Sequence, residues 1–145
     1  MSDSTWIYQT RFDVSSTILN KENIDLNFEG LDTYAQVYLN DSLILSSNNA
    51  FRNYKVPVKD FVLLNNSLSI KFTPTHIKEE IEKNKLGYTL PEGRRIFTRK
   101  AQFQYGWDWG PSLNTIGIWK GVSLNAWNDA KIEHVYLKKK SFLKK

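Results

Sequence analysis

The sequence predicts an all-β domain: an antiparallel β-sandwich or jelly roll carrying one short surface helix. Three observations predict it. Short runs of alternating apolar and polar residues recur along the chain, about eight or nine of them. Turn residues separate these runs at regular spacing, the pattern of sandwiches and jelly rolls. Only one stretch carries helical periodicity.

The first run, Trp6 to Val14, sets Trp6, Tyr8, Thr10 and Phe12 against Ile7, Gln9, Arg11 and Asp13, and reads as a half-buried strand. A polar stretch follows from Ser15 to Asn23. Ile24, Leu26 and Phe28 then share one face, and Gly30 ends the strand. Thr33 to Leu39 sets Ala35, Val37 and Leu39 against Tyr34, Gln36 and Tyr38. Asn40-Asp41 is a turn signal, and Leu43-Ile44-Leu45 completes a predicted hairpin. Phe51 to Val58 reads as extended, with Pro57 marking an edge or a strand end. Asp60 to Leu64 and Asn65-Asn66 read as turns, and Leu68, Ile70 and Phe72 as a clear strand stopped by Pro74.

His76 to Lys85 is the one helical pattern, with Ile77 and Ile81 four apart and Gly87 as its end. Glu79, Glu80 and Glu82 read there as a solvated face. Gly87 to Arg95 is a predicted loop, and Ile96 to Phe103 a predicted extended run. Ile116 to Trp119, Val122 to Trp127 and Ile132 to Leu137 are the remaining predicted strands. The domain is placed at residues 6–137, followed by a lysine-rich tail at 138–145. The chain shows no internal repeat and no linker.

The 145 residues, 41% hydrophobic and 14% aromatic, suffice for one domain with a real core. The formal charge of +5 equals the five lysines at 138, 139, 140, 144 and 145, so the body of the domain is neutral. Nucleic-acid binders carry a basic patch on the folded body instead, so no nucleic-acid partner is expected. No apolar run reaches the length of a membrane helix, and the first residues lack a signal-peptide pattern. Cysteine is absent, which removes disulfides and thiolate chemistry and leaves the compartment unread. The two histidines, His76 and His134, lie too far apart to suggest a zinc set, and no nucleotide- or phosphate-cradling motif is present. Neither a metal nor a cofactor is expected.

Tyr105-Gly106-Trp107-Asp108-Trp109-Gly110-Pro111 is the chemically distinctive stretch. Flat apolar faces suit the C–H side of a pyranose, and a carboxylate suits its hydroxyls. The same residues would equally serve as a turn whose tryptophans plug a core. Glycosidases use two carboxylates set about 5–9 Å apart. Of fifteen acids, only Asp108 sits in an aromatic setting in the sequence, which is not a complete catalytic pair.

Several segments together resemble the N-terminal domain of β-mannosidases of glycoside hydrolase family 2. They are Trp6-Ile7-Tyr8, Phe28-Glu29-Gly30-Leu31-Asp32-Thr33-Tyr34-Ala35, Val37-Tyr38-Leu39-Asn40, Asn49-Ala50-Phe51-Arg52, Arg99-Lys100-Ala101-Gln102, Tyr105 through Pro111, and Gly117-Ile118-Trp119. The resemblance implies a galactose-binding-like jelly roll, followed in the family by immunoglobulin-like domains and a (β/α)₈ barrel holding two catalytic glutamates. It implies a retaining hydrolase that releases terminal β-linked mannose, and a chain that is inactive without the barrel. On this resemblance Asp108 accepts hydrogen bonds from mannose hydroxyls, Trp107 and Trp109 shape the pocket wall, and Asn49 stands at the same rim. Arg52, Arg99 and Lys100 read as structural partners of the loops.

Two features depart from the family pattern. The family carries several dozen residues before the strand that here begins at Trp6, so an edge of the jelly roll is expected to lack its neighbour. Trp119-Lys120-Gly121 stands where the family more often shows Trp-Arg-Pro. A free-standing carbohydrate-binding module and a purely structural sandwich remain as alternative readings.

Overall fold

A computed structural model describes residues 3–91 and 93–139. The described residues form an antiparallel β-sandwich with a single longer helix. The strands are β1 (Trp6–Asp13), β2 (Asn23–Phe28), β3 (Leu31–Asp32), β4 (Tyr34–Leu39), β5 (Ser42–Asn48), β6 (Tyr54–Pro57), β7 (Asn65–Thr73), β8 (Gly117–Ile118) and β9 (Val122–Trp127). One sheet runs β1-β7-β4-β5, the facing sheet β6-β2-β9, and β3 pairs with β8 between them in sequence order. The period-2 patterns decide which faces meet. Ala35, Val37 and Leu39 stand opposite Phe72, Ile70 and Leu68 across the β4–β7 ladder. They pack on Ile24, Leu26 and Phe28 of the facing sheet in one core. Burying a side chain of this size contributes about 1.5–3 kcal/mol each.

The β4–β5 connection is a two-residue turn. Asn40 and Asp41 both take positive φ (49° and 65°), the signature of the hairpin turn that asparagine and aspartate tolerate. The Asn40 side chain also ties this turn to the next loop, donating to Phe61 O (2.8 Å) and accepting from Ser67 N (2.9 Å). Asn65-Asn66 is not a turn but the start of β7. Asn66 is buried because its amide serves the preceding loop: it accepts from Leu63 N (2.8 Å) and from the Asn40 amide (3.0 Å), and donates to Leu63 O (2.7 Å). Asn66→Ala removes these three part-buried bonds and leaves the Leu63 N–H and C=O without their partner. It is expected to cost about 2–3 kcal/mol, read as a lowered urea midpoint at unchanged m-value.

Other expectations are corrected. β1 is exposed along nearly its whole length rather than half-buried. It is an edge strand beside an apolar groove of about 420 Å³ that runs between Tyr8 and Phe12 on one sheet and Val122 and Leu124 on the other. Only β6, at Tyr54–Pro57, forms a strand within the extended run expected from Phe51. The stretch expected as extended from Ile96 to Phe103 instead holds two 3₁₀ turns, Arg95–Phe97 and Gln102–Tyr105. Between them Thr98 and Lys100 are drawn into the interior, and Arg99 makes a single parallel bridge to Asn49. Of Ile116–Trp119 only β8 remains strand, because Trp119 swings over Gly30 to donate to Ala50 O (3.1 Å). A Cβ on Gly30 would lie 2.4 Å from the Trp119 indole nitrogen, so this glycine makes room for a ring. Ile132–Leu137 forms no strand and is exposed; Glu133 meets the edge strand β6 through its side chain, which accepts from Lys55 Nζ (2.6 Å). Of the lysine tail, residues 140–145 lie outside the described residues.

The polar stretch after β1 contains a single-turn helix, α1 (Ser16–Leu19), capped by the Ser15 side chain, which the sequence reading did not include. The longer helix, α2 (Thr75–Leu86), ends at Gly87 in the left-handed conformation (φ 70°). It lies on the surface as expected and Glu82 is exposed, but one of its acids departs from expectation. Ile77 and Ile81 are exposed, while Glu79, read as solvated, is 2% exposed. The physical reason is a partner from elsewhere: the Tyr105 hydroxyl donates to the Glu79 carboxylate.

Candidate functional site

The Trp-Asp-Trp stretch forms a closed tight turn. Trp107 N donates to Gly110 O (3.0 Å) and Gly110 N to Trp107 O (3.1 Å), which leaves Asp108 and Trp109 at the two corners. Gly106 enters the turn at φ 90°, and a Cβ there would crowd Gly110 O and Ser112 N at 3.3 Å, so a side chain is excluded on both counts. The return leg is strutted by Gln104. Its backbone carbonyl accepts from Leu113 N (2.9 Å), and its side-chain oxygen accepts from Thr115 N (3.1 Å).

The turn projects from the domain. Trp109 is 85% exposed and Trp107 57%, and Asp108 is exposed too. The two indoles meet edge to face with centroids 6.1 Å apart, and the Arg95 guanidinium lies 5.7 Å from the centre of the Trp107 ring. Among the described residues Asp108 has no hydrogen-bond or ion-pair partner. The tryptophans therefore do not plug the core, and the reading of a purely structural turn loses its support.

Below the turn lies a buried ion pair that the sequence reading placed only as a structural partner. The Lys100 side chain is 0% exposed and its ammonium reaches Asp32 Oδ2 at 2.5 Å. It also donates to Thr115 O (2.5 Å), while Thr115 Oγ1 and Thr33 Oγ1 donate to the two Asp32 oxygens (2.8 and 2.7 Å). Burial pushes the Lys100 pKa down, opposed by the hydrogen bond and charge of Asp32. These bonds tie β3 to both legs of the 101–114 loop, so the Trp-Asp-Trp turn stands on a rigid base. Asp32, with Glu79, is the acidic residue that sequence reasoning missed as buried in this region. The signal available was the run Arg99-Lys100, where an alternating pattern carries a lysine toward the inside.

Asn49 is on the neighbouring loop. It bridges Arg99, and its side-chain oxygen accepts from Phe51 N (2.9 Å), so the amide shapes its own turn. Phe51 and Ala50 then line, with Phe103, Thr115 and Trp119, an apolar cleft of about 280 Å³ floored by Asp32. The Asn-Ala-Phe-Arg segment and the approach to the Trp-Asp-Trp turn thus flank one cleft.

Tyr105, at the foot of the turn, is half-buried. Burial first, and its bond to Glu79 second, push its phenol pKa well above the usual 10.0. The folded state therefore holds this proton where the unfolded chain has lost it, and stability falls as pH rises above about 10. Tyr105→Phe is expected to remove that alkaline slope. At neutral pH it costs about 1–3 kcal/mol by leaving Glu79 without its donor, read from urea midpoints across the pH range.

A family model described as the glycosyl hydrolase 2 galactose-binding domain-like family matches residues 1–120. The chain belongs to this family. It is 31% identical over 146 residues to the β-mannosidase of Mus musculus, covering 93% of this chain and 17% of that protein. It is 34% identical over 143 residues to β-mannosidase B of Aspergillus oryzae, covering 94% of this chain and 17% of that one. Among solved structures, the β-D-mannosidase of Dictyoglomus thermophilum superposes with a TM-score of 0.87 at 38% identity, over 97% of this chain and 18% of that one. A β-glycosidase of Bacteroides vulgatus, at 16% identity and a TM-score of 0.53, shares the fold alone. The chain thus spans less than a fifth of the length of these β-mannosidase relatives.

Proposed function

We propose that this chain is the N-terminal, sugar-facing domain of a retaining β-mannosidase that releases terminal β-linked mannose, the catalytic glutamates residing in a barrel elsewhere in the enzyme. The carrying observation is the Trp-Asp-Trp turn: two exposed indoles flanking an exposed carboxylate that has no partner among the described residues, on a base fixed by a buried ion pair. A carboxylate held in place at the surface accepts strong hydrogen bonds from sugar hydroxyls, and the indoles present faces to the ring. In this reading Asp108 positions the sugar and neither protonates the leaving group nor attacks the anomeric carbon. Trp107 and Trp109 form the wall, and Asn49 shapes the rim through its own turn. Immunoglobulin-like domains connect this domain to the barrel.

The test is a chimera in which this chain replaces the matching domain of the Dictyoglomus thermophilum β-D-mannosidase. The chimera is expected to hydrolyse a nitrophenyl β-mannoside, while the chain by itself releases no nitrophenol. Turnover by the isolated chain would overturn the division of labour. A chimera that folds and retains activity after both indoles are replaced by alanine would overturn the role of the turn.

A further inference from the structure

Two backbone hydrogen bonds close the Trp-Asp-Trp turn, but they leave the orientation of its indoles undecided. A tryptophan on a projecting turn has several staggered rotamers open to it, and close packing in a core ordinarily selects one. Neither ring has that support: Trp109 is 85% exposed and Trp107 57%. One contact from another segment bears on both. The Arg95 guanidinium lies over the Trp107 ring, 5.7 Å from its centre, and Trp107 in turn meets Trp109 edge to face.

The backbone at Arg95 is anchored independently of the turn. Its 3₁₀ turn, Arg95–Phe97, packs against α2. Phe97 O accepts from the Tyr34 hydroxyl of β4 (3.4 Å), and Arg95 O accepts from Gln102 Nε2 (3.3 Å). A line of contacts therefore runs from sheet and helix through Arg95 to Trp107 and on to Trp109. The chemistry suits the task, because a planar guanidinium stacks on an indole face and is attracted by the negative charge of that face. The covered face of Trp107 is closed to a sugar, so this ring is a strut as well as a wall, and Trp109 keeps the more open ring.

We propose that Arg95 is a positioning residue for the Trp-Asp-Trp turn. By covering one face of Trp107 it selects that indole's rotamer, and through the edge-to-face pair it sets the angle at which Trp109 meets a sugar. Rings ordered in advance lose less freedom when a ligand arrives. The effect on sugar binding rests on the sugar-facing reading of the turn; the ordering of the indoles does not.

The experiment uses the intact chain and reads the indoles before and after methyl β-mannoside is added. NMR side-chain couplings give the Trp107 and Trp109 rotamers, near-UV circular dichroism reports on the indole pair, and the melting temperature reports on the fold. Arg95→Gln is expected to average the rotamers of both rings and to shrink the near-UV signal, while the melting temperature stays within about two degrees. Its affinity for methyl β-mannoside is expected to fall about two- to fivefold, the worth of a cation–π contact at an exposed site. Arg95→Lys keeps the charge but not the planar face, and is expected to restore part of the order and part of the affinity. Unchanged rotamers in Arg95→Gln overturn the inference. If that variant also loses its fold, Arg95→Lys decides, and indoles as ordered there as in the unchanged chain overturn it. Averaged rotamers with unchanged affinity, where Asp108→Ala does reduce affinity, overturn the positioning role while the sugar-facing reading stands. No response of the unchanged chain to the sugar removes that reading, and the positioning role with it.

Discussion

Replacing Lys100 with methionine is expected to destabilise the domain by about 3–5 kcal/mol, because the Asp32 carboxylate is then left buried with no counter-charge. That is a large part of the 5–15 kcal/mol that holds a typical domain together. The cost does not measure the worth of the ion pair. Bringing both charges out of water opposes their attraction, and the lowered pKa of Lys100 reports that burial already weighs against the ammonium. The double variant Asp32→Asn with Lys100→Met is therefore expected to recover much of the loss, as it leaves no naked charge. Urea denaturation of the two single variants and the double gives the coupling directly. If Lys100→Met costs under about 1 kcal/mol, the ion pair does not brace the loop. A milder consequence accompanies the first: Lys100 also holds Thr115 O, so the variant loosens the return leg of the Trp-Asp-Trp loop before the core melts.

Asp108→Ala is the complementary case, with a large functional effect and almost none on stability. The carboxylate is exposed and has no partner among the described residues, so its removal strands nothing. In the chimeric β-mannosidase the variant is expected to lower kcat/KM by about 10- to 150-fold, the equivalent of the 1.5–3 kcal/mol of a hydrogen bond to a charged group. The melting temperature is expected to stay within about a degree or two. Asp108→Asn keeps an acceptor of the same shape and should fall between the two. A loss of activity that tracks a loss of melting temperature would mean that Asp108 holds the turn together and does not bind sugar.

Under the proposed function, the two predictions separate a braced base from a binding tip. Strong, fully satisfied polar groups lie beneath the turn, at Asp32, Lys100 and Thr115, where they fix backbone. Unsatisfied polar and apolar groups lie at its tip. A site arranged this way needs little reordering when a sugar arrives, which lowers the entropic cost of binding.

The sequence by itself determined the sandwich, its core and its distinctive turn, because these depend on short-range rules. Period-2 alternation put Val37, Leu39, Ile70 and Phe72 inside, and Asn40-Asp41 specified a two-residue hairpin turn. The glycines around Trp107-Asp108-Trp109 marked a turn, and the structure closes it with two backbone hydrogen bonds. Only the tertiary structure decided which polar residues go inside. Glu79 looked like part of a solvated helical face until Tyr105, 26 residues on, supplied a donor. Asp32 and Lys100 are 68 residues apart and are buried only because each brings the other's charge. The extended run at 96–103 holds two 3₁₀ turns around a single bridge at Arg99, and Ile132–Leu137 forms no strand, so an alternating pattern alone did not make a ladder. Alternation is a property of the residues themselves, whereas charge burial and strand pairing depend on partners that the fold alone brings together.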